Sequence, residues 1–313
     1  MSRGGLPGHR ANEGTEAAAM GVCIDGAGLS IPDVVAVARG GASVSLDLDA
    51  RRRIDRASAY VDTLLRRERP VYGVTTGFGR FADIVISPDD SATLQRNLLL
   101  SHASGVGELL PNEVVRAILL LRANALACGY SGARAEVVDT LIAMLNQGVH
   151  PQVPSQGSVG SSGDLAPLAH TMLVVIGEGT ACYKGEALPG AEAMARAGIP
   201  MVALRAKEGL ALINGTQVMT AIGSLAVHDV SMLARVADVA AAMTTEALRG
   251  TTSAFDPRVQ AARPHPGQAA SARNLLRLME RAPSASRIGI ARRCKTPIRS
   301  GVRRRCMELR ATP

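Results

Sequence analysis

The chain has 313 residues, 47% of them hydrophobic, 20% charged and only 2% aromatic, with no Trp. This balance is globular rather than disordered or fibrous, and the length can bury a sizeable core in one large or two modest domains. The formal charge of +8 does not by itself mark a nucleic-acid binder, because residues 281–313 hold ten Arg and Lys against Glu308 alone while residues 1–280 come out at −1. After a Gly-rich start, Pro32–Arg39 predicts a short helix stopped by Gly40 and Gly41, and Asp49–Arg69 a long, basic-faced one ended by Pro70. Val71–Phe81, VYGVTTGFGRF, is too rich in glycine for an element interior and predicts a shaped loop.

Apolar residues then recur at helical spacing over Asp89–Ser104, Pro111–Cys128 and Arg134–Asn146. The pattern pauses at Gly148–Gly163 and resumes at Asp164, which suits an N-cap, with Pro167 tolerated in the first turn. Thr180–Leu188 predicts a hairpin turning at Lys184 and Gly185, followed by a short Ala-rich helix ending at Gly198. Asn214–Arg249 has no Pro and predicts one long buried helix or two, and 266–281 a last helix. The expected fold class is all-α. No apolar run reaches about 18 residues, so no membrane span is expected, and residues 1–20 lack the apolar centre of a secretory signal. Five scattered cysteines without CxxC or Cys/His spacing predict reduced thiols and no metal site. The expected location is cytoplasmic.

The loop Gly157–Asp164 admits three readings from its residues alone. A phosphate cradle would use backbone N–H groups at a helix N-terminus, yet the P-loop spacing and its Lys are absent. A hydrolase nucleophile would want G-x-S-x-G after a strand, and Gly160-Ser161-Ser162-Gly163 has the wrong spacing. A Gly/Ser turn feeding a helix is the plainest reading of the segment in isolation.

The segment is not isolated. GSVGSSGDLAPLAH (157–170), YGVTTGFG (72–79) and SHASGVG (101–107) together resemble the histidine and phenylalanine/tyrosine ammonia-lyase family, whose usual central motif is GSVGASGDLAPLAH. The similarity runs from about Ile31 to Gln268 and includes LRANALACGYSG (121–132), Asn214-Gly215-Thr216, Phe255-Asp256-Pro257 and His265-Pro266-Gly267-Gln268. The resemblance implies a mainly helical ammonia-lyase fold, with an N-terminal active-site region leading into a long helical bundle. It also implies a prosthetic group, 4-methylideneimidazol-5-one, made when an Ala-Ser-Gly tripeptide closes on itself and loses water. Here the tripeptide would be Ser161-Ser162-Gly163, and no external cofactor or metal is then needed.

The chemistry explains the residue types. The Gly163 nitrogen must reach the carbonyl carbon of Ser161, which a residue without Cβ permits. Ser162 must lose a hydroxyl to create the methylidene, and Ser161 in place of Ala adds only a hydroxyl on the ring. Elimination of ammonia from an α-amino acid needs such an electrophile, because the β-hydrogen is barely acidic and the amine leaves poorly. By resemblance Tyr72 takes the β-proton, a role that asks for a phenol pKa below the usual ~10. Asn214 would hold the substrate or the ring, and His102 would face the substrate side chain. Asp164 is expected to cap its helix, with a possible part in cyclisation. The substrate is expected to be an aromatic L-amino acid, L-histidine first on the strength of Ser101-His102, with tyrosine, phenylalanine or an aminomutase outcome as alternatives. A helical scaffold or nucleic-acid-binding protein with a basic tail is the non-enzyme alternative.

The tail departs from the family, whose members continue through a QDPYSLRC-type motif. Cys294–Pro313, CKTPIRSGVRRRCMELRATP, has no apolar period. If each codon is begun at the third base of the old one, permitted codons from Cys294 onward give Gln-Asp-Pro-Tyr-Ser-Leu-Arg-Cys, the missing motif. A frameshift between about Gly267 and Cys294 is therefore expected, and with it an inactive or nearly inactive chain whose Asn214–Arg249 helix, lacking much of the family's bundle, exposes apolar faces and favours association or aggregation. The expected organisation is an extension over 1–30, an active-site region over 31–200, the start of a helical bundle over 201–281 and an out-of-frame tail over 282–313. The expected partners are an amino acid substrate and, by resemblance, further copies in a homotetramer, with no nucleic acid and no membrane.

Overall fold

The computed structural model of the chain describes residues 21–66, 70–77, 88–159 and 163–280. Strand β1 (Val22–Ile24) lies parallel to β2 (Val44–Leu46), and helix α1 (Ile31–Ala38) makes the crossover between them. Ser30 and Asp33 start α1 with a reciprocal capping box, the Ser30 N–H donating to Asp33 Oδ2 at 2.9 Å. The side chain of Asp47 caps α2 (Leu48–Leu65) by accepting from Asp49 and Ala50, both at 2.9 Å. The sequence extends this helix to Arg69, whereas its C-cap is Arg66 and residues 67–69 lie outside the described residues.

Helix α3 (Pro88–His102), strand β3 (Val106–Leu109), and helices α4 (Asn112–Ala127) and α5 (Ala135–Gln147) follow. The three helices agree with the predicted spans to within two residues. The α4–α5 pair is the centre of the core. Val115, Ile118, Leu119 and Leu120 of α4 and Val137, Val138, Leu141 and Met144 of α5 have no exposed surface, and burying each such side chain contributes about 1.5–3 kcal/mol. Their connecting turn presses on α2: a Cβ on Gly129, which sits at φ +79°, would lie 2.6 Å from Arg53 Cβ.

The segment expected to be irregular contains strands β4 (Val149–Pro151) and β5 (Pro154–Gln156). Strand β5 pairs antiparallel with β3, and β4 pairs with β6 (Thr180–Tyr183). The predicted hairpin is present as β6 and β7 (Glu186–Pro189), turning through Lys184 and Gly185 at φ 50° and 85°, the mirror-image turn that the twist of a hairpin favours. Between β5 and β6 lies α6 (Leu165–Leu173), continued by a 3₁₀ turn over Val174–Ile176. Helices α7 (Gly190–Arg196), α8 (Glu208–Ile213) and α9 (Gln217–Ala247) complete this part of the chain. The fold is mainly helical, as the periodicity predicts. All its strands are three or four residues long, too short for a period of two to stand out in the sequence, and the hairpin is predicted from its turn.

The contacts divide the chain after His228. The packing places 201–228 with the first unit, because Val202, Leu204, Leu212, Ile213, Val218, Ala221 and Leu225 belong to the main core. In the second unit, a 3₁₀ turn over Thr252–Phe255 leads to α10 (Pro257–Ala261) and α11 (Pro266–Met279), with a small core of Ala242, Leu275, Met279 and Phe255.

Helix α9 is single and long, apolar enough for the bundle core that its pattern predicts, and its apolar faces are exposed as expected where much of the bundle is missing. Met219, Ile222, Val230, Leu233, Val236 and Met243 are all exposed. Apolar composition states what a helix can bury, and the described residues cover only one edge of this one. The stretch Glu208–Ala247 is long and apolar enough by length and composition to cross a membrane. His228, Asp229, Arg235 and Asp238 fall inside it, residues that are costly at the centre of a bilayer.

Candidate active site

Helices α3, α6 and α8 pack on one another, and each gives one end to the same neighbourhood. The C-terminus of α3 carries His102, the N-terminus of α6 follows Gly163, and the C-terminus of α8 carries Asn214. Gly209 lets α3 and α8 approach: its N–H donates to Gln95 Oε1 at 2.9 Å, and a Cβ there would lie 2.9 Å from the Gln95 carbonyl oxygen.

Gly163 sits at φ +107°, and a Cβ on it would stand 2.5 Å from the Gly215 carbonyl oxygen. That carbonyl accepts from the Asp164 N–H at 2.7 Å. Asn214 is thereby the residue next to the contact, itself exposed, with its N–H donating to Leu210 O at 3.0 Å as α8 ends. Ser161 and Ser162 lie outside the described residues.

Asp164 occupies the N-cap position of α6 as predicted, yet its side chain does not cap that helix. Its Oδ2 accepts from the N–H groups of Val218 and Met219, each at 3.0 Å, and Oδ1 accepts from Ser158 Oγ at 2.8 Å. The carboxylate therefore caps α9, not its own helix, and ties the loop before Gly163 to the link after Asn214. Spacing in the sequence identifies a cap by its nearest helix, which is why the partner 54 residues away was missed.

The turn after α3 is fixed from two sides. The Gly105 N–H donates to His170 Nε2 at 3.0 Å, and a Cβ on Gly157 would lie 3.0 Å from Gly105 Cα. His170 must accept through Nε2, so its neutral form carries the proton on Nδ1. Burial lowers its pKa below the usual 6.5. His102 Nδ1 lies 2.9 Å from Leu98 O, and because a carbonyl only accepts, Nδ1 holds the proton and Nε2 keeps its lone pair in the neutral ring. These contacts join the His102 turn, the Gly157 end of the loop, Gly163 and Asn214. Tyr72 is not among the residues they tie together. The residue is 63% exposed in a turn closed locally, with the Val74 and Thr75 N–H groups donating to Val71 O at 3.0 Å.

Two charged groups beneath the site were not singled out in the sequence. Arg122 of α4 is 4% exposed and donates through Nη1 to Gln217 Oε1 at 2.8 Å and through Nη2 to Ala211 O. Burial pulls its pKa down to about 10. Glu208, 1% exposed, accepts from Arg134 through Nε and Nη2 at 2.9 Å and from the Arg205 N–H at 2.7 Å, which holds the start of α8 to α5. Among the described residues no group of three or more His, Cys, Asp and Glu could hold a metal. A cavity of about 240 Å³ lined by Ser58, Asp62, Ser91, Arg134, Arg205 and Glu208, among others, includes none of the four candidate residues among those described, Tyr72, His102, Gly163 and Asn214.

Comparison with known proteins gives a consistent picture. The family model described as aromatic amino acid lyase matches residues 29–308, a span that runs into the basic tail. The histidine ammonia-lyase of Symbiobacterium thermophilum is 59% identical over 264 residues, covering 84% of this chain and 52% of that protein. That of Alkaliphilus metalliredigens is 54% identical over 271 residues, covering 87% and 54%. The chain spans about half the length of these relatives. Among solved structures, histidine ammonia-lyase from Trypanosoma cruzi superposes with a TM-score of 0.76 at 39% identity, covering 82% of this chain and 50% of that one. A tyrosine aminomutase from Streptomyces globisporus gives 0.78 at 38%, covering 83% and 49%.

Proposed function

The chain belongs to the aromatic amino acid lyase family, and on that footing we propose that its chemistry is the non-oxidative elimination of ammonia from L-histidine to give urocanate. The observation that carries the reading is the seat of Gly163 on Gly215, with no room for a Cβ between them. Such a cradle supports ring closure at Ser161-Ser162-Gly163, which asks for glycine at the third position. The 4-methylideneimidazol-5-one formed there supplies the electrophile that makes the amino group a leaving group.

The chain's own residues would do the rest. Tyr72 would take the β-proton on its phenolic oxygen as the Cα–N bond breaks and ammonia departs. His102, with Nδ1 donating to Leu98 O, would offer Nε2 as an acceptor to the N–H of a substrate imidazole. Asn214, exposed at the end of α8 beside the Gly163 contact, would hold the substrate by its amide. The preference for histidine is supported by the relatives at 54–59% identity. The similarity to a tyrosine aminomutase favours tyrosine, or migration of the amine, as the second reading. We place the protein in the cytoplasm, and the exposed apolar side of α9 supports self-association into the tetramer expected for the family.

The test compares the chain as given with one in which the codons after Gly267 are read in the shifted frame. Urocanate from L-histidine in the second, lost in Ser162→Ala, is the expected result. Coumarate or cinnamate from tyrosine or phenylalanine would move the substrate, a β-amino acid product would make it a mutase, and turnover indifferent to Ser162→Ala would overturn the ring.

A further inference from the structure

The cavity of about 240 Å³ lies at the end of α8 opposite to Asn214. Glu208 is the first residue of that helix and Asn214 its C-cap, about 9 Å apart along the axis. The walls are held without any ligand. Gly132, at φ +75°, sits so close to α2 that a Cβ on it would lie 2.5 Å from Val61 Cγ2. Arg134 and Glu208 neutralise each other, with Nε and Nη2 donating to the carboxylate at 2.9 Å, and Arg134 also donates to Glu136 and to Ala203 O. The Glu208 carboxylate further accepts from the N–H groups of Arg134 at 3.0 Å and Arg205 at 2.7 Å. This pair is therefore wall, and it fixes the backbone of Arg205.

Two other charges in the lining are not engaged in this way. Asp62 is half-buried and Arg205 exposed, and among the described residues neither side chain takes part in an ion pair or a hydrogen bond. Asp62 helps to raise the Arg134 pKa, after Glu208 and Glu136, so its charge reaches the same space without a bonded partner. Opposite charges that share a cavity without pairing suit a molecule that carries both. A lone anion would meet repulsion from Asp62, and a lone cation from Arg205. Ser58 and Asp62 stand one turn apart on α2 and share a face, as do Val61 and Leu65 beside them. Leu204 and Ala206 extend the apolar side. The volume is the share of roughly eight waters, below the about 300–1,000 Å³ of pockets for drug-sized ligands.

We propose that this cavity binds a small zwitterion, an α-amino acid with a short aliphatic side chain. Its carboxylate lies on the Arg205 guanidinium, its ammonium on Asp62 with Ser58, and its side chain against Val61, Leu65 and Leu204. The guanidinium offers the carboxylate a forked donor. Neither charge is deeply buried, so each contact contributes modestly. The site shares no residue with the one at the other end of α8 and does not depend on the chemistry proposed there.

The test titrates the full chain by calorimetry with L-leucine, with isocaproate, which lacks the amine, and with isoamylamine, which lacks the carboxylate. L-Leucine should bind with a Kd no weaker than about 1 mM, and each fragment at least about tenfold more weakly. Asp62→Asn and Arg205→Gln should each weaken L-leucine by about fivefold or more. Isocaproate should bind Asp62→Asn no more weakly than the parent, and isoamylamine likewise for Arg205→Gln. Asn214→Ala should leave L-leucine binding within about twofold. A melting midpoint equal to the parent's establishes that each variant folds, and should one fail to fold, the fragment series carries the test alone. No saturable heat with L-leucine up to about 10 mM overturns the proposal. So does either fragment bound as tightly as L-leucine, which would make the cavity a site for a single charge. Binding that Asn214→Ala weakens and both cavity variants leave unchanged would put leucine at the other end of α8, and overturns the proposal as well.

Discussion

Gly163 and Tyr72 stand in loops of similar composition, glycine-rich and marked by family motifs, and the fold treats them in opposite ways. Gly163 is held by residues distant in the chain: Gly215 against its Cα, Asp164 bonded to Gly215 and capping α9, and Gly105 with His170 behind Gly157. Tyr72 lies in a turn closed by Val71 O and by Thr75 Oγ1, which accepts from the Val71 N–H at 2.8 Å. One residue is seated on a distant segment, and the turn around the other is closed within its own loop. Changes at the first should disturb fold and chemistry together, and changes at the second should separate them.

The largest effect is expected for Gly163→Ala. The new Cβ meets backbone rather than a side chain that can move, and φ +107° is strained for any L-residue. Loss of about 2–4 kcal/mol in denaturant unfolding, together with no two-water loss over 157–165, is the expected outcome. A variant as stable as the parent would show that Gly215 yields, and the contrast with Tyr72 would collapse.

Asp164→Ala comes next. It leaves the Val218 and Met219 N–H groups at the start of α9 without their acceptor and Ser158 without its partner. About 1–2 kcal/mol of lost stability is expected, with Asp164→Asn recovering part of it through the remaining carbonyl oxygen. Urea unfolding of both variants measures this. Equal stability of Ala and Asn would mean that the cap contributes nothing.

The pH dependence is smaller and its sign follows from two histidines. Burial first, and then Arg116, lowers the His150 pKa from 6.5 to about 4, and burial lowers that of His170. Each accepts through Nε2, His150 facing Arg116 Nη1 at 3.1 Å and His170 the Gly105 N–H. A depressed histidine contributes stability that is present in full above the unfolded value near 6.5. It is lost as pH falls below that value, down to about 4 for His150. The thermal midpoint should fall over that window, and His170→Gln, which can accept without titrating, should flatten part of the slope. A midpoint constant from pH 7 to 4 would contradict both assignments.

These tests also mark what could be read in advance. Helices α4 and α5 were legible because their apolar residues repeat at helical spacing and are stopped by Pro, Gly and Cys128-Gly129. The hairpin was legible from Lys184-Gly185. Gly163 stood out because a motif required glycine there. What the motif could not convey is the partner: Gly163 meets Gly215, Arg122 meets Gln217 and Asp164 meets the α9 amides across 52 residues of chain or more. The exposure of α9 is expected from the family's missing bundle and not from periodicity, which reports an apolar face without reporting what covers it. The tail's codon reading is open to one direct check, the genomic sequence across codons 265–296: a shifted frame unable to encode Gln-Asp-Pro-Tyr there would end it.

The smallest structural effect, and the sharpest separation, is expected for Tyr72→Phe. With the residue 63% exposed, loss of the hydroxyl should change unfolding free energy by no more than ~0.5 kcal/mol, and two waters should still be lost over 157–165, because the seat of Gly163 on Gly215 takes no group from the 72–75 turn. In the frame-restored chain the same substitution should lower kcat on L-histidine by about 100-fold or more, the scale on which a positioned base contributes, while leaving binding of an unreactive substrate analogue within about twofold. A Tm lowered by several degrees would make the hydroxyl a structural group and erase the contrast with Gly163. A stable Tyr72→Phe with undiminished kcat would remove Tyr72 from proton transfer and leave the ring, the Gly215 floor and Asp164 as the only parts of the site still supported.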